Sequence, residues 1–329
     1  MPERLGPPHE TPLFERIALV GLGLIGSSIA RASQHLNLAR TIVAVDASES
    51  VVARVRELGI ADEATTDAAA GVAGADLVIL CVPVGVCGTV AEAMRPGLKP
   101  GCIVSDVGSV KASVVAQVQP HLPQGVSFVP AHPVAGTEHS GPDAGFATLF
   151  HNRWCILTPP EGTDEAATDR VRAFWEAMGS NVEVMSAQHH DLVLAITSHV
   201  PHLIAYNIVG TAADLETVTQ GEVIKFSAGG FRDFTRIAAS DPTMWRDVFL
   251  ANKDAVLEML GRFNEDISDL TRAIRRGDGD ALFNHFTRTR AIRKGIVAIG
   301  QDSPAPDFGR PHPDLPHEPL PRPYAADEK

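Results

Sequence analysis

Three polar strings in this chain gather residue types that move protons and hold anions. They are SDVGSVK at residues 105–111, HPVAGTEHSGP at 132–142, and SHVPH at 198–202 followed by FRDFTRIAASDPTMWRD at 231–247. A histidine such as His132 titrates near ~6.5 and can take a proton at neutral pH. Arg236 offers an always-charged, forked donor suited to a carboxylate, for which lysine would be a poorer replacement. Taken singly, each residue has a plainer reading: His132 before Pro133 as a turn residue, Arg236 as a helix-face cation, Trp245 as a core aromatic, His202 as a partly buried helix histidine. Only their joint arrangement argues for chemistry.

A fourth string, RIALVGLGLIGSSIA at residues 16–30, places Gly21, Gly23 and Gly26 between an apolar strand and a helix. In that context each glycine has a physical task. Gly21 permits a tight turn, Gly23 lets backbone approach a pyrophosphate, and Gly26 lets helix and strand pack closely. The free N–H groups and positive dipole end of the helix N-terminus then face the phosphates. Asp46 closes the second strand 20 residues after Gly26, where a carboxylate accepts from the ribose hydroxyls and repels a 2'-phosphate, favouring NAD over NADP. Leu22, Leu24 and Ile25 of the turn, Val82 and Pro83 at the end of a later strand, and Ser109 complete the candidate cofactor-binding set.

The HPxxGTE and DFTRIAxSDPxMW strings closely resemble prephenate and arogenate dehydrogenases, the tyrosine-pathway enzymes, with the likeness running from about Arg16 to about Ile299. The resemblance implies NAD-dependent oxidative decarboxylation of prephenate, with arogenate or both substrates as alternatives. It implies His132 as the catalytic base toward the ring hydroxyl, supported by Ser109. It also implies Arg236 on a substrate carboxylate and His202 and His199 in the substrate half. Thr137, Glu138 and Asp233 are implied beside the pocket, the two acids in an ionic network that orients Arg236, and Trp245 is implied as a wall. The glycine turn alone would equally serve a dinucleotide sensor without catalysis. A β-hydroxyacid dehydrogenase is a nearer rival, but such enzymes resemble a pattern with a catalytic lysine in the helical domain.

The elements that must position these groups divide the chain. Strand patterns at 16–20, 41–45, 76–82 and 102–106 alternate with helix patterns at 25–34 and 48–57, the latter capped by Ser48. Such alternation predicts a mainly parallel, doubly wound α/β Rossmann domain. The sheet pattern persists through 127–130, 155–158 and 181–185, with a helix near 165–178. From Ser186 strand signals cease, and the stretch to Ala213, interrupted at Pro201, with 241–275 and 280–298, predicts an all-α second domain. The expected boundaries are 14–185, 186–301, and a tail at 302–329 that holds eight prolines in 28 residues and reads as disordered or loosely packed.

With 329 residues, 44% hydrophobic, 21% charged and a formal net charge of -12, the composition speaks against a nucleic-acid or membrane-surface role. The expectation is also that no apolar tract is long enough to span a bilayer. His189 and His190 beside Asp191 lack the spacing of a helical metal pair, so no metal is expected. Cys81, Cys87, Cys102 and Cys155 form no CxxC pair and read as structural thiols. The first apolar run carries a glycine motif, so the expected compartment is the cytoplasm. Met259, Leu260, Phe263, Ile267 and Leu270 are spaced for either an internal core or a homodimer interface.

Overall fold

The computed structural model describes residues 5–136, 139–219 and 228–298. Six strands, β1 (Phe14–Val20), β2 (Ala39–Val45), β3 (Glu63–Thr65), β4 (Leu77–Leu80), β5 (Ile103–Asp106) and β6 (Ser127–Phe128), form one sheet in the order β3-β2-β1-β4-β5-β6. All five pairings are parallel. The strands read as unbroken apolar runs because both faces are covered. On β1, Ile17 and Leu19 enter one core while Ala18 and Val20 enter the other.

Helices α1 (Leu24–Leu36), α2 (Glu49–Leu58), α3 (Ala68–Val72), α4 (Cys87–Met94) and α5 (Ala112–Val118) connect these strands. Ser48 caps α2 as expected, its side chain accepting from the Val51 N–H at 3.4 Å. The strand order reverses between β1 and β4, which opens a crevice beyond their carboxyl ends.

The later strands do not extend this sheet as the continuous pattern suggested. Instead β7 (Ala131–Pro133), β8 (Trp154–Leu157) and β9 (Asn181–Val184) form a separate three-stranded sheet, with β7 antiparallel to β8. Val129 still donates to the Val104 carbonyl, but Pro130 has no N–H to continue the ladder, and the chain turns to pair elsewhere. Helix α6 (Glu165–Ala177) covers the junction. Its Phe174 and Trp175 meet Phe14 and Phe150 edge-on at 5.9 and 5.2 Å, an arrangement that favours aromatic quadrupoles.

The second half is helical. Ser186 caps α7 (Ala187–Leu194), accepting from the His189 N–H. The expected interruption at Pro201 is absent: a π turn at Ala195–His199 carries α7 into α8 (Val200–Thr219). Proline cannot donate to the carbonyl four residues earlier. The widened turn, with Val200 donating to Ala195, absorbs the missing bond,. Helices Gly229–Thr235, Pro242–Ala251, Lys253–Arg276 and Gly279–Ala298 follow. The run expected at 241–275 is split at Asn252, whose φ of -112° and ψ of 29° end one helix and start the next.

One further expectation is corrected. The helical stretch Ala187–Leu215 is long and apolar enough to cross a membrane by length and composition, with 28% of its most apolar window buried. Its apolar character serves two surfaces at once. Ala195, Val200 and partly buried Ile204 pack against Val256 and Met259, while Ile196, Ile208, Val209 and Leu215 stay exposed. Val110 of the first half packs with Trp245 and Val248 of the second, bringing the three polar strings to one joint.

Candidate active site

The glycine turn closes against β4. Gly21 has φ of +98°, and a Cβ there would lie 2.7 Å from the Cys81 carbonyl oxygen, so only glycine fits,. A Cβ on Gly26 would stand 2.0 Å from the Gly21 oxygen. A Cβ on Gly23 would meet nothing within 4 Å, so packing does not demand glycine there, whereas close approach of a pyrophosphate does. Helix α1 has no side-chain cap at Gly23, leaving first-turn N–H groups for an anion. Leu22 and Leu24 face the core, and Ile25 packs against it. Asp46 accepts from the Leu22 N–H at 2.9 Å and the Ser48 N–H at 3.0 Å, which fixes its carboxylate beside the turn. Val82, half-buried, and Pro83, exposed, follow β4 at the same crevice. These residues fit a dinucleotide.

His132 sits in the middle of β7, 7% exposed, and not in a turn. Its Nδ1 lies 2.8 Å from Nε2 of His190, and Nδ1 of His190 lies 2.8 Å from Oδ1 of Asp191. Asp191 also accepts from the Lys111 and Ala112 N–H groups at 2.8 and 2.9 Å. Lys111, fully buried, donates from Nζ to Asp106 and, at 2.6 Å, to the Ala131 carbonyl. Asp106 in turn accepts from the Gly108 and Ala131 N–H groups. A buried ion pair of this kind is tolerable only because the remaining donors and acceptors are satisfied.

Burial holds the His132 imidazole well below its ordinary value, helped by His190, Lys111 and His199. His190 is lowered by burial against the opposing pull of Asp191. Burial pushes the Asp106 carboxyl up, opposed by Lys111. Both imidazoles are therefore neutral near pH 7, so His132 is a weaker, drier base than the ordinary titration of histidine suggests.

On the helical side, His199 is fully buried and its Nδ1 lies 3.1 Å from Asn252 Nδ2, which also donates to the Asp191 carbonyl. Burial drives its pKa down to about 4. The Nε2 of His199 and the Nε1 of Trp245 are buried with no hydrogen-bond partner. Trp245 stacks on His202 at 3.7 Å and 25°. His202 keeps Nδ1 2.8 Å from the Ser198 carbonyl, and burial lowers it too, with Arg236 adding in the same direction. Arg236 opens a short 3-10 turn with its side chain exposed.

Asp233, expected to orient Arg236, pairs instead with its exposed neighbour Arg232 at 3.2 Å. Ser109 is half-buried beside the GSVK turn, and the partner of His132 is His190 rather than Ser109. Thr137 and Glu138 lie outside the described residues.

The sequence reading missed His190, Asp191, Lys111, Asp106 and Asn252. By spacing along the chain, His190 and Asp191 raise only the question of a metal pair. A signal existed in the helix register: with Ser186 as cap, His190 and Leu194 share the buried face of α7, so a polar residue there needs a buried partner. Among the described residues no group of three or more His, Cys, Asp or Glu side chains is disposed to hold a metal ion.

A doubly wound nucleotide-binding half, joined to a helical half with a buried histidine cluster at the seam, defines a two-domain dehydrogenase. The chain belongs to the prephenate dehydrogenase family and is an oxidoreductase of that type. Residues 29–184 match the prephenate dehydrogenase nucleotide-binding domain, and residues 186–288 match the prephenate dehydrogenase dimerization domain. The chain is 46% identical over 284 residues to the cyclohexadienyl dehydrogenase of Zymomonas mobilis, covering 86% of this chain and 97% of that one. It is 34% identical over 306 residues to the prephenate dehydrogenase of Bacillus subtilis, covering 93% and 82%. Among solved structures, the prephenate dehydrogenase of Aquifex aeolicus in complex with hydroxyphenyl propionate and NAD+ superposes with a TM-score of 0.81 at 34% identity, over 86% of this chain and 98% of that one. Synechocystis arogenate dehydrogenase superposes at 0.73 with 27% identity, over 85% and 99%.

Proposed function

We propose that this chain oxidises prephenate with NAD, releasing 4-hydroxyphenylpyruvate and carbon dioxide. The observation that carries the proposal is His132, buried and neutral at the seam between the nucleotide crevice and the helical half, in a family whose members are prephenate and cyclohexadienyl dehydrogenases. Bound NAD supplies the hydride acceptor. His132 takes the ring-hydroxyl proton as the hydride leaves the carbon bearing that hydroxyl. The ring carboxylate then departs as carbon dioxide, its bonding electrons restoring the aromatic ring. Arg236 pairs with a substrate carboxylate. The unpartnered N–H groups of His199 and Trp245 offer donors to substrate oxygens. Ser109, Thr137, Glu138 and Asp233 complete the assigned surroundings, and the Gly21–Gly26 turn with Asp46, Val82 and Pro83 holds the dinucleotide.

One observation favours arogenate as a second substrate. His202 donates from Nδ1 to the Ser198 carbonyl, so in its neutral form Nε2 is an acceptor, suited to the ammonium that arogenate carries where prephenate has a ketone. Steady-state kcat/KM for both substrates with NAD and NADP tests the proposal. Turnover of prephenate or arogenate with NAD is expected, and turnover of 3-hydroxy acids alone would overturn it.

The protein acts as a homodimer on this reading. The helical half presents exposed Leu257, Ile267, Ile274, Phe283, Phe286 and Ile292, and it matches a dimerization domain. Met259 faces the internal core instead. Four free cysteines suit the reducing cytoplasm,.

A further inference from the structure

We propose that His190, held by Asp191, is a positioning residue that sets the working tautomer of His132, so that the base presents its Nε2 lone pair to the substrate hydroxyl. The inference rests on the dehydrogenase reading above, and every link in it is a hydrogen bond with one permissible direction. The Asp191 carboxylate already accepts from two backbone N–H groups, those of Lys111 and Ala112. A carboxylate without a proton has only acceptors, so the third group at 2.8 Å, His190 Nδ1, must carry the hydrogen. With His190 neutral, its Nε2 is then a bare lone pair. Across 2.8 Å, His132 Nδ1 must donate to it, and in neutral His132 the proton on Nδ1 leaves Nε2 free.

The opposite arrangement, with hydrogen on His190 Nε2, would set a bare imidazole nitrogen against the Asp191 carboxylate and leave His132 with its hydrogen on Nε2, unable to accept. Protonating His190 has the same effect on His132, because a doubly protonated ring can only donate. The groups that bear on this protonation are Asp191 and His199 from the helical half and Lys111, Asp106 and His132 from the sheet half. His190 is fully buried and meets His132 edge-on, with ring centroids 5.0 Å apart. Packing alone would need the ring, whereas relay of direction needs only one acceptor joined to one donor, which glutamine also provides.

The test uses the full chain, with kinetics of His190→Phe and His190→Gln beside ¹⁵N NMR of histidine-labelled wild-type protein. The expected spectrum has His132 protonated on Nδ1 and bare on Nε2. His190→Phe is expected to lower kcat by about 10²-fold or more, in the range of a lost general base or a wrong tautomer. The KM values for prephenate and NAD should stay within about threefold. His190→Gln should recover kcat to within about tenfold of wild type. Three results would overturn the inference: a His132 hydrogen on Nε2 in the wild-type spectrum, wild-type kcat in His190→Phe, or a glutamine variant no better than phenylalanine. Failure of the wild-type protein to oxidise prephenate or arogenate would instead refute the dehydrogenase reading, and the spectrum reports the tautomer either way.

Discussion

Mild acid should destabilise this protein well above the pH at which its surface carboxylates titrate. His132, His190 and His199 are buried, and burial lowers all three pKa values, that of His199 to about 4. In the unfolded chain each histidine takes a proton near ~6.5. A group whose folded pKa is depressed contributes stability that is present above the unfolded value and lost as pH falls toward the folded one. Between pH 7.5 and 5.5 each histidine that stays neutral in the fold costs about 1.4 kcal/mol, from RT ln(1 + 10) at one unit below the unfolded pKa. The loss is therefore about 1.4 kcal/mol if only His199 resists protonation and about 4 kcal/mol if all three do. Asp106, whose carboxyl burial pushes up against the pull of Lys111, acts in the opposite direction, its contribution growing as pH falls through its raised folded value toward the ordinary carboxylate range,.

Urea denaturation at pH 7.5 and 5.5, at one fixed protein concentration, measures the difference. His199→Gln should shrink it by about 1.4 kcal/mol, because one excluded proton is gone. A wild-type difference under about 1 kcal/mol, or a His199→Gln difference equal to wild type, would refute the reasoning.

Two glycines separate packing from cofactor contact. Gly26→Ala, whose Cβ would stand 2.0 Å from the Gly21 oxygen, should lower the urea midpoint by an amount equivalent to about 1–3 kcal/mol or more, whereas Gly23→Ala should keep the wild-type midpoint and raise KM for NAD; the reverse pattern would sink the assignment. Lys111→Met leaves Asp106 buried and unpaired, with an expected loss of about 3–5 kcal/mol, and adding Asp106→Asn should recover at least half of it in the same denaturation assay. His132→Asn should reduce kcat by several orders of magnitude with NAD affinity by fluorescence titration nearly unchanged; near-wild-type turnover would remove His132 from its role.

Features encoded by local repetition were readable from the chain. The β1 and β2 runs, the glycine turn, the Ser48 and Ser186 caps and the helical second half are each set by neighbours a few residues apart. β7 was not readable, because a strand of Ala131, His132 and Pro133 is too short to display alternation and exists only through its pairing with Cys155–Leu157. The break at Pro130 depends likewise on which carbonyl the next residue would have met. In the site, His132 was visible through its surrounding string, but its partners were not. His190 lies 58 positions away, and Asp191 grips the backbone of Lys111 from 80 positions away. No periodicity reports such pairs. Pro201 failed as a helix breaker for a related reason: the chain had a wider turn available, and only the three-dimensional course of the helix shows that it is used.

The grip of Asp191 on Lys111 and Ala112 bears on how far the two halves are interchangeable. On the proposed mechanism the nucleotide half contributes the base, His132, yet the group that orients it, His190, comes from the helical half, through buried hydrogen bonds. A nucleotide half cut free at the joint would keep its dinucleotide crevice and lose the constraint on the imidazole, so it would bind without turning over. On the same mechanism, replacing the helical half with that of another family member would change more than substrate contacts, because it would replace His190 and Asp191 as well.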